Sequence, residues 1–420
     1  MNRSDKSNNK LHNRRAISLL ACVSLVLASQ LVVAGPREQA KRMHDRLAGV
    51  PPTEAVLNDM ASQINSDPVG VAMNILSPSG VCDPIIDPNS LPCGYRNSAR
   101  NFYSVTLKNM VTPWTNEAQT VFAPLNDYTA TVIGMVRDEV PFNQLLSANI
   151  IYVGAPGVVS SSYSMSNNTH YEQLEDQAID LSDSTKLVRM AQTDVTDLPA
   201  NATAGIMTTR AAARAFFVDG TNRAMFRFTV LNHFCNDLEQ IKDNSRSPDR
   251  VRQDVSRSPG ADSRIYMNAC VACHAGMDPL AQAYAYYEWQ YTGDEEEDKD
   301  QGRLIYTEGS VQPKYLINAD TFKYGFVTTD DRWDNYWRVG PNSLLGWDTG
   351  TTGSGNGAKS MGVELANSDV FASCQVKKVY RTVCFREPTV SELTNTTSSF
   401  KAGYNLKQVF AQAAADCMGD

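Results

Sequence analysis

One five-residue segment constrains this chain more than any other, namely Cys270-Val271-Ala272-Cys273-His274. Two cysteines separated by two residues and followed directly by a histidine form the pattern at which haem is attached covalently to a protein. One turn of backbone places both thiols under the porphyrin edge, where each can form a thioether with a haem vinyl group. The histidine is then placed to bind the iron. We therefore predict one haem c, anchored by Cys270 and Cys273, with His274 as the proximal iron ligand.

Two other chemistries use a Cys-x-x-Cys pair, and the rest of the sequence disfavours both. A zinc site needs two more ligands at suitable spacing, and the chain has no second Cys-x-x-Cys and no His-x₃₋₅-His. A thioredoxin-type dithiol expects a strand before it and a helix that opens at the first cysteine. The segment 256–261, Ser-Arg-Ser-Pro-Gly-Ala, instead has the composition of a loop. Haem attachment is thus the favoured interpretation, with a dithiol or metal site as the alternative.

The N-terminus has the composition of a secretory signal. A basic stretch with Lys6, Lys10, Arg14 and Arg15 precedes the apolar run 16–33, and Ala34 is followed by Gly-Pro. This order predicts a signal over residues 1–34 with cleavage after Ala34. A membrane anchor is the alternative, but the run is at the short limit for spanning a bilayer. Export agrees with the haem motif, because haem c is attached on the outer side of the bacterial inner membrane. We expect a periplasmic or outer-surface location and no membrane span in the mature chain.

Charge and cysteine content agree with export. Removing residues 1–34 takes away five Lys or Arg and one Asp, which changes the formal net charge from −8 to −12. Such an acidic chain is a poor candidate for binding nucleic acid or anionic lipid. Six cysteines remain beside Cys22 of the signal and the motif pair, and in an oxidising compartment they predict up to three disulfides. Cys82–Cys93, around a proline-rich loop, is one predicted pair. The pairing of Cys235, Cys374, Cys384 and Cys417 stays open at this point.

Hydrophobic periodicity and capping residues predict a mainly α fold with several helices. The mature length exceeds that of a single core, so we expect two helical lobes, residues 35–255 and 256–420, with a cytochrome c-like haem site in the second. In the first lobe, helices are predicted over 35–47, 53–64, 67–76, 102–110, 210–217 and 222–235. In the second, they are predicted over 280–291, 368–384, 389–403 and 405–417. The helix over 280–291 is expected to start from Asp278 as cap and Pro279.

The sixth iron ligand decides the chemistry of a haem site, because a second strong ligand favours electron transfer and an open position favours reaction with peroxide or gases. Met277 and Met267 lie too close to His274 in sequence to reach the distal side. Met361 follows a glycine-rich loop and is the possible distal ligand, with His233 as the histidine alternative. His44 and His170 are weaker candidates.

The residues around the motif resemble one family, the planctomycete-type secreted cytochromes c, which are large bacterial proteins of mostly unassigned role. The resemblance is specific over 268–280, which contains the haem motif followed by Met-Asp-Pro-Leu. Looser similarity lies at 205–208 with Cys235, at 365–374, and at 385–388. The chain departs from the family pattern at Ala224, where a glycine after Arg223 is usual. It also lacks the lectin-like modules found in the family, so a polysaccharide-linked role has no support.

Three functions are compatible with these features. The first is an exported electron-transfer protein with one haem and an unidentified redox partner, and we expect this rather than an enzyme. The second is a single-haem enzyme of the peroxidase or oxygenase type, although the dihaem members of those classes carry two Cys-x-x-Cys-His motifs and this chain has one. The third is a surface binding protein with a structural haem, for which the large N-terminal portion is the best support.

Overall fold

The fold is taken from a computed structural model, which describes residues 34–115, 119–218, 220–252, 255, 262–293, 301–316 and 321–419. The predicted signal lies outside the described residues apart from Ala34, and so does the predicted loop over 256–261. The described chain is mainly helical, which confirms the predicted fold class at this level.

The α-helices, in chain order, are α1 (Pro36–Ala48), α2 (Glu54–Gln63), α3 (Pro68–Leu76), α4 (Leu91–Asn101), α5 (Lys108–Val111), α6 (Gln119–Phe122), α7 (Asp127–Arg137), α8 (Thr169–Asp176), α9 (Gln192–Val195), α10 (Arg210–Phe216), α11 (Arg223–Phe234), α12 (Ser263–Ile265), α13 (Val271–Ala281), α14 (Gly357–Ala366), α15 (Asp369–Val383), α16 (Val390–Gly403) and α17 (Leu406–Asp416). Segments of π-helix cover Phe102–Leu107 and Tyr266–Cys270. Short 3₁₀ turns cover Phe142–Gln144, Gly205–Thr208, Leu238–Gln240, Gln282–Tyr284, Pro313–Tyr315, Tyr336–Arg338 and Pro341–Leu345.

Several predicted helices begin directly after the capping residues that the sequence indicated. The Thr53 hydroxyl accepts from the Val56 amide before α2. Asp67 accepts from the Gly70 amide before α3, with proline in the first turn. Thr389 and Glu392 form a reciprocal capping box at the start of α16. These contacts satisfy amides that a helix N-terminus otherwise leaves unpaired, and they confirm the predicted starts.

Within the residues that the structure describes, the strands form three antiparallel two-stranded sheets. They are β1 (Ile151–Gly154) with β2 (Leu187–Met190), β3 (Tyr287–Tyr291) with β4 (Gly302–Tyr306), and β5 (Arg332–Asp334) with β6 (Ser354–Asn356).

The helix predicted over 280–291 is wrong. Helix α13 already contains Asp278 and Pro279, so neither residue starts a new helix, and the chain then enters strand β3. In β3 the buried side chains of Tyr287 and Trp289 alternate with the less buried Glu288 and Gln290. This two-residue period is the pattern of a half-buried strand. The strand is completed by pairing with β4, in which Gly302 leaves room for the ring of Trp289.

One hydrophobic cluster includes residues from both sides of the predicted boundary at residue 255. The last helix, α17, packs against α3 and α1 near the start of the described chain. Its Phe410 ring meets the Phe102 ring edge-on, with 4.9 Å between centroids. Helix α15 packs against α11, and α11 packs in turn against α13, the helix that contains Cys273 and His274. The two predicted lobes therefore share core residues, and the boundary itself stays a prediction.

Three disulfides join the six cysteines outside the signal and the motif. Cys82–Cys93 is the predicted pair and is confirmed. The pairs that the sequence left open are Cys235–Cys374 and Cys384–Cys417. Cys235–Cys374 ties the end of α11 to α15 across 139 residues of chain, and so crosses the predicted lobe boundary.

Across the described ranges, none of the helices combines the length and apolarity needed to cross a bilayer.

Candidate haem-attachment site

The motif lies on a continuous helical segment. The π-helix Tyr266–Cys270 runs directly into α13, so Cys270 and Cys273 are three residues apart on helical backbone. Residues at this spacing are neighbours on one helix face. Both thiols are partly exposed, and they are the two cysteines of the described chain that form no disulfide. The structure therefore presents two adjacent, unpaired sulfur atoms to the outside of the helix.

A hydrogen bond to Asp278 determines that Nδ1 of His274 carries a proton. Its Nδ1 lies 3.0 Å from Oδ1 of Asp278, one helical turn further on. An ionised carboxylate can only accept a hydrogen bond, so the Nδ1 atom carries the proton. The other ring nitrogen, Nε2, has no hydrogen-bond partner among the described residues, and it is the nitrogen left to offer a lone pair. This tautomer is the one required for Nε2 to bind a metal ion.

Asp278 is held as a charged carboxylate. Its side chain is 6% exposed, and Arg223 donates to it from Nε and a terminal nitrogen at 2.8 and 2.7 Å. Burial raises the pKa of this carboxyl, but the charge and hydrogen bonds of Arg223, together with the bond from His274, outweigh burial. They hold the pKa of Asp278 well below its usual range. The carboxylate thus stands between a guanidinium and an imidazole.

The position of Arg223 is set by the residue before it. Asn222 adopts a left-handed backbone with φ of 54° at the start of α11. Its side-chain amide donates to the carbonyls of Tyr284 and Tyr287, both at 2.9 Å. Asparagine tolerates this conformation better than most residues. These bonds attach the start of α11 to the chain that follows α13, and so bring Arg223 to Asp278.

Sequence reasoning missed Asp278 and Arg223 as parts of this site. The four-residue spacing of His274 and Asp278 was a usable signal, because residues at that spacing meet on a helix. The sequence prediction instead placed Asp278 in a helix cap. The contact with Arg223 joins residues 55 apart in the chain, and no local pattern indicates it.

The surroundings of the motif include an unpaired polar group and exposed apolar side chains. Tyr266 is buried with its ring 6.2 Å from that of His274, and its hydroxyl has no hydrogen-bond partner in the described structure. Burial, followed by the charge of Asp278, raises the pKa of Tyr266 to about 12, so the hydroxyl keeps its proton. Ile265 and Met267 are 47% and 58% exposed. Two thiols, an imidazole with a free Nε2, a buried donor and apolar surface fit a covalently attached haem.

The dithiol alternative receives less support from the geometry. Reactive thiols in Cys-x-x-Cys pairs have lowered pKa values. Burial, followed by the nearby carboxylate of Glu239, raises the pKa of the Cys273 thiol. This thiol lies 3.6 Å from the carbonyl oxygen of Leu238. As for the metal alternative, the described ranges contain no group of three or more His, Cys, Asp or Glu placed to hold a metal ion.

The candidates for the distal ligand lie in different parts of the fold. Met361 is fully buried on α14, a helix that packs against the turn Gln282–Tyr284 just after α13. His233 is buried on α11, and its Nε2 lies 2.9 Å from the hydroxyl of Tyr128. Met277 is buried in the core. Ligation by Met361 or His233 stays a prediction.

The two weaker candidates use both ring nitrogens in hydrogen bonds. His44 lies 3.0 Å from the carbonyl of Val50 and 2.7 Å from the hydroxyl of Ser98. His170 accepts from the amide of Gly154 at 2.8 Å and lies 2.7 Å from the carbonyl of Ser161. These bonds fix both rings in structural roles.

Comparison with models of protein families, with curated proteins and with solved structures gave no match to this chain.

Proposed function

We propose that this protein is an exported c-type cytochrome that carries one haem and acts in electron transfer. Cys270 and Cys273 hold the haem through two thioethers, and His274 binds the iron through Nε2. Bound in this way, the haem supplies a one-electron couple whose potential depends on the iron ligands and their surroundings. The chain's own residues fix the ring of His274 and bury the carboxylate behind it.

The observation that carries the proposal is the arrangement of the motif. The thiols of Cys270 and Cys273, which form no disulfide, lie on one helical turn, and the imidazole that follows donates from Nδ1 to Asp278, so Nε2 is the nitrogen left to bind a metal ion. The six remaining cysteines of the described chain are paired in disulfides. Disulfides form in oxidising compartments, which supports a periplasmic or cell-surface location. Similarity to the planctomycete-type secreted cytochromes is part of the same proposal and rests on the residues quoted for it above.

The test is covalent haem content. The full chain is expressed in a bacterial host competent in cytochrome c maturation, and the purified protein is assayed by denaturing mass spectrometry and the pyridine haemochrome spectrum. We expect one haem per chain and a spectrum typical of two thioethers. Cys270→Ala with Cys273→Ala is expected to carry no covalent haem, while Cys82→Ala with Cys93→Ala, which removes a disulfide outside the motif, is expected to keep it. Wild-type protein with the mass of the bare processed chain would refute the proposal.

A haem enzyme of the peroxidase or oxygenase type is the second candidate, and one observation favours it. The carboxylate on Nδ1 of His274 makes the imidazole a stronger electron donor, which suits chemistry at an open iron position. Visible spectra of wild type, Met361→Ala and His233→Ala separate the two functions. A low-spin spectrum lost in one of the two variants identifies that residue as distal ligand and supports electron transfer. A high-spin ferric spectrum of the wild type, together with rapid reaction with peroxide, supports the enzyme function.

A further inference from the structure

The Asp278 carboxylate, which accepts the hydrogen bond from His274, is held in place from two helices. Asp278 lies one turn after His274 on the same helix, so α13 itself sets the 3.0 Å distance between Nδ1 and Oδ1. Arg223, from α11, holds both carboxylate oxygens. Asp278, whose side chain is 6% exposed, therefore cannot turn away from the imidazole without breaking both of its charge-assisted hydrogen bonds to Arg223, whose side chain is 24% exposed.

We propose that Asp278 is a positioning residue that sets the reduction potential of the haem through His274. This inference rests on the proposed function. A carboxylate that accepts the Nδ1 proton fixes the ring and raises the basicity of Nε2. A more basic ligand with a negative charge behind it stabilises ferric over ferrous iron, so the potential is lower than it is without the carboxylate. Arg223 limits the effect, because its positive charge draws electron density from the same carboxylate.

The chain contains a matched control for this pair. Arg227, one turn along α11 from Arg223, donates to both carboxylate oxygens of Asp237 at 2.9 and 2.7 Å. The bond lengths and charges are close to those of the first pair, although the side chains are more exposed, at 37% and 28% against 24% and 6%. No described hydrogen bond joins Arg227 or Asp237 to His274. Substitutions at this second pair therefore measure the effect of removing a nearby charge without touching the imidazole.

The experiment is redox titration of the haem-loaded full chain, with haem content checked first by pyridine haemochrome. Asp278→Asn keeps the size of the side chain and removes its charge. We expect the ferrous-to-ferric ratio at a fixed applied potential to rise at least tenfold, which is about 59 mV for a one-electron couple. Asp237→Asn is expected to shift the ratio by less than about threefold. Asp278→Glu, which restores the charge, is expected to return the potential toward that of wild type.

A second variant is expected to shift the reduction potential in the opposite direction. It also keeps the inference testable if Asp278→Asn does not accumulate with haem. Arg223→Gln leaves the carboxylate to His274 alone, so we expect the potential to fall, and to fall further than in Arg227→Gln. Equal potentials in Asp278→Asn and Asp237→Asn, or in Arg223→Gln and Arg227→Gln, would overturn the inference while leaving the proposed function intact. Absence of haem from the wild type would instead refute the proposed function. A purely structural role for Asp278 predicts lower stability with no change in potential.

Discussion

At the scale of single residues, Gly276 shows how closely the motif helix is packed. It lies two residues after His274, and a Cβ atom at this position would come within 2.0 Å of Nε1 of Trp337 and 2.7 Å of Cε2. Trp337 is 1% exposed, and its indole ring also packs against the Phe226 ring, with 5.8 Å between the ring centroids. A large buried indole cannot move away at low cost. Glycine at 276 therefore lets α13 approach Trp337 directly.

Gly276→Ala is expected to destabilise the protein by about 1–3 kcal/mol, because added volume in a packed site forces side chains or backbone to shift. Gly403→Ala is the matched control, since Gly403 ends helix α16 and a Cβ there meets no atom within 4 Å. We expect it to be neutral or to stabilise by up to about 1 kcal/mol, the helix preference of alanine over glycine. Urea denaturation of both variants measures the difference. Equal stabilities would show that α13 does not depend on close approach to Trp337.

At the scale of elements, disulfides connect helices that are distant in sequence. Cys235 ends α11 in a left-handed conformation, with φ of 56°, and is bonded to Cys374 in α15. Helix α11 also supplies Arg223 to the candidate site. The bond therefore anchors one of the two helices that form the site.

Replacing Cys235 and Cys374 by serine is expected to cost more stability than replacing Cys82 and Cys93. The separations of 139 and 11 residues correspond to loop-closure contributions of about 5 and about 3 kcal/mol. Denaturant unfolding of the two double variants gives the order. The reverse order would mean that native-state contacts, rather than chain entropy, dominate the effect of these bonds.

At the scale of the whole molecule, two buried histidines make the stability of the fold depend on pH. Burial lowers the pKa of His44 to about 4. Burial, followed by the charge of Lys378, lowers the pKa of His233 well below its ordinary value. Both rings are therefore neutral in the folded chain at pH values where an exposed histidine is protonated.

Stability is expected to fall as the pH falls from about 6.5 toward 4. In this window the unfolded chain takes up protons at both histidines and the folded chain does not, so the free energy of unfolding decreases by up to about 1.4 kcal/mol per pH unit for each. His44→Gln removes one such site, and the slope of its stability against pH should be shallower than that of wild type by about this amount. Urea titrations across the window test the difference. Parallel slopes would show that His44 is not the group that responds.

The sequence by itself determined the features that depend on neighbouring residues. Thr53, Asp67 and Thr389 start helices through bonds to amides three residues away, and Cys82–Cys93 closes a short loop. The cysteines and the histidine of the motif are likewise contiguous. Such contacts are encoded within one or two turns of chain, so local patterns are enough to predict them.

Only the tertiary structure decided the contacts between distant segments. Asp278 reads locally as a cap, yet packing of α11 on α13 places it between Arg223 and His274. Residues 287–291 read as the end of a helix until pairing with 302–306 makes them a strand. The partner of Cys235 depends on where α15 packs. In each case the free energy comes from burial and hydrogen bonding to a partner far along the chain, which no window of neighbouring residues contains.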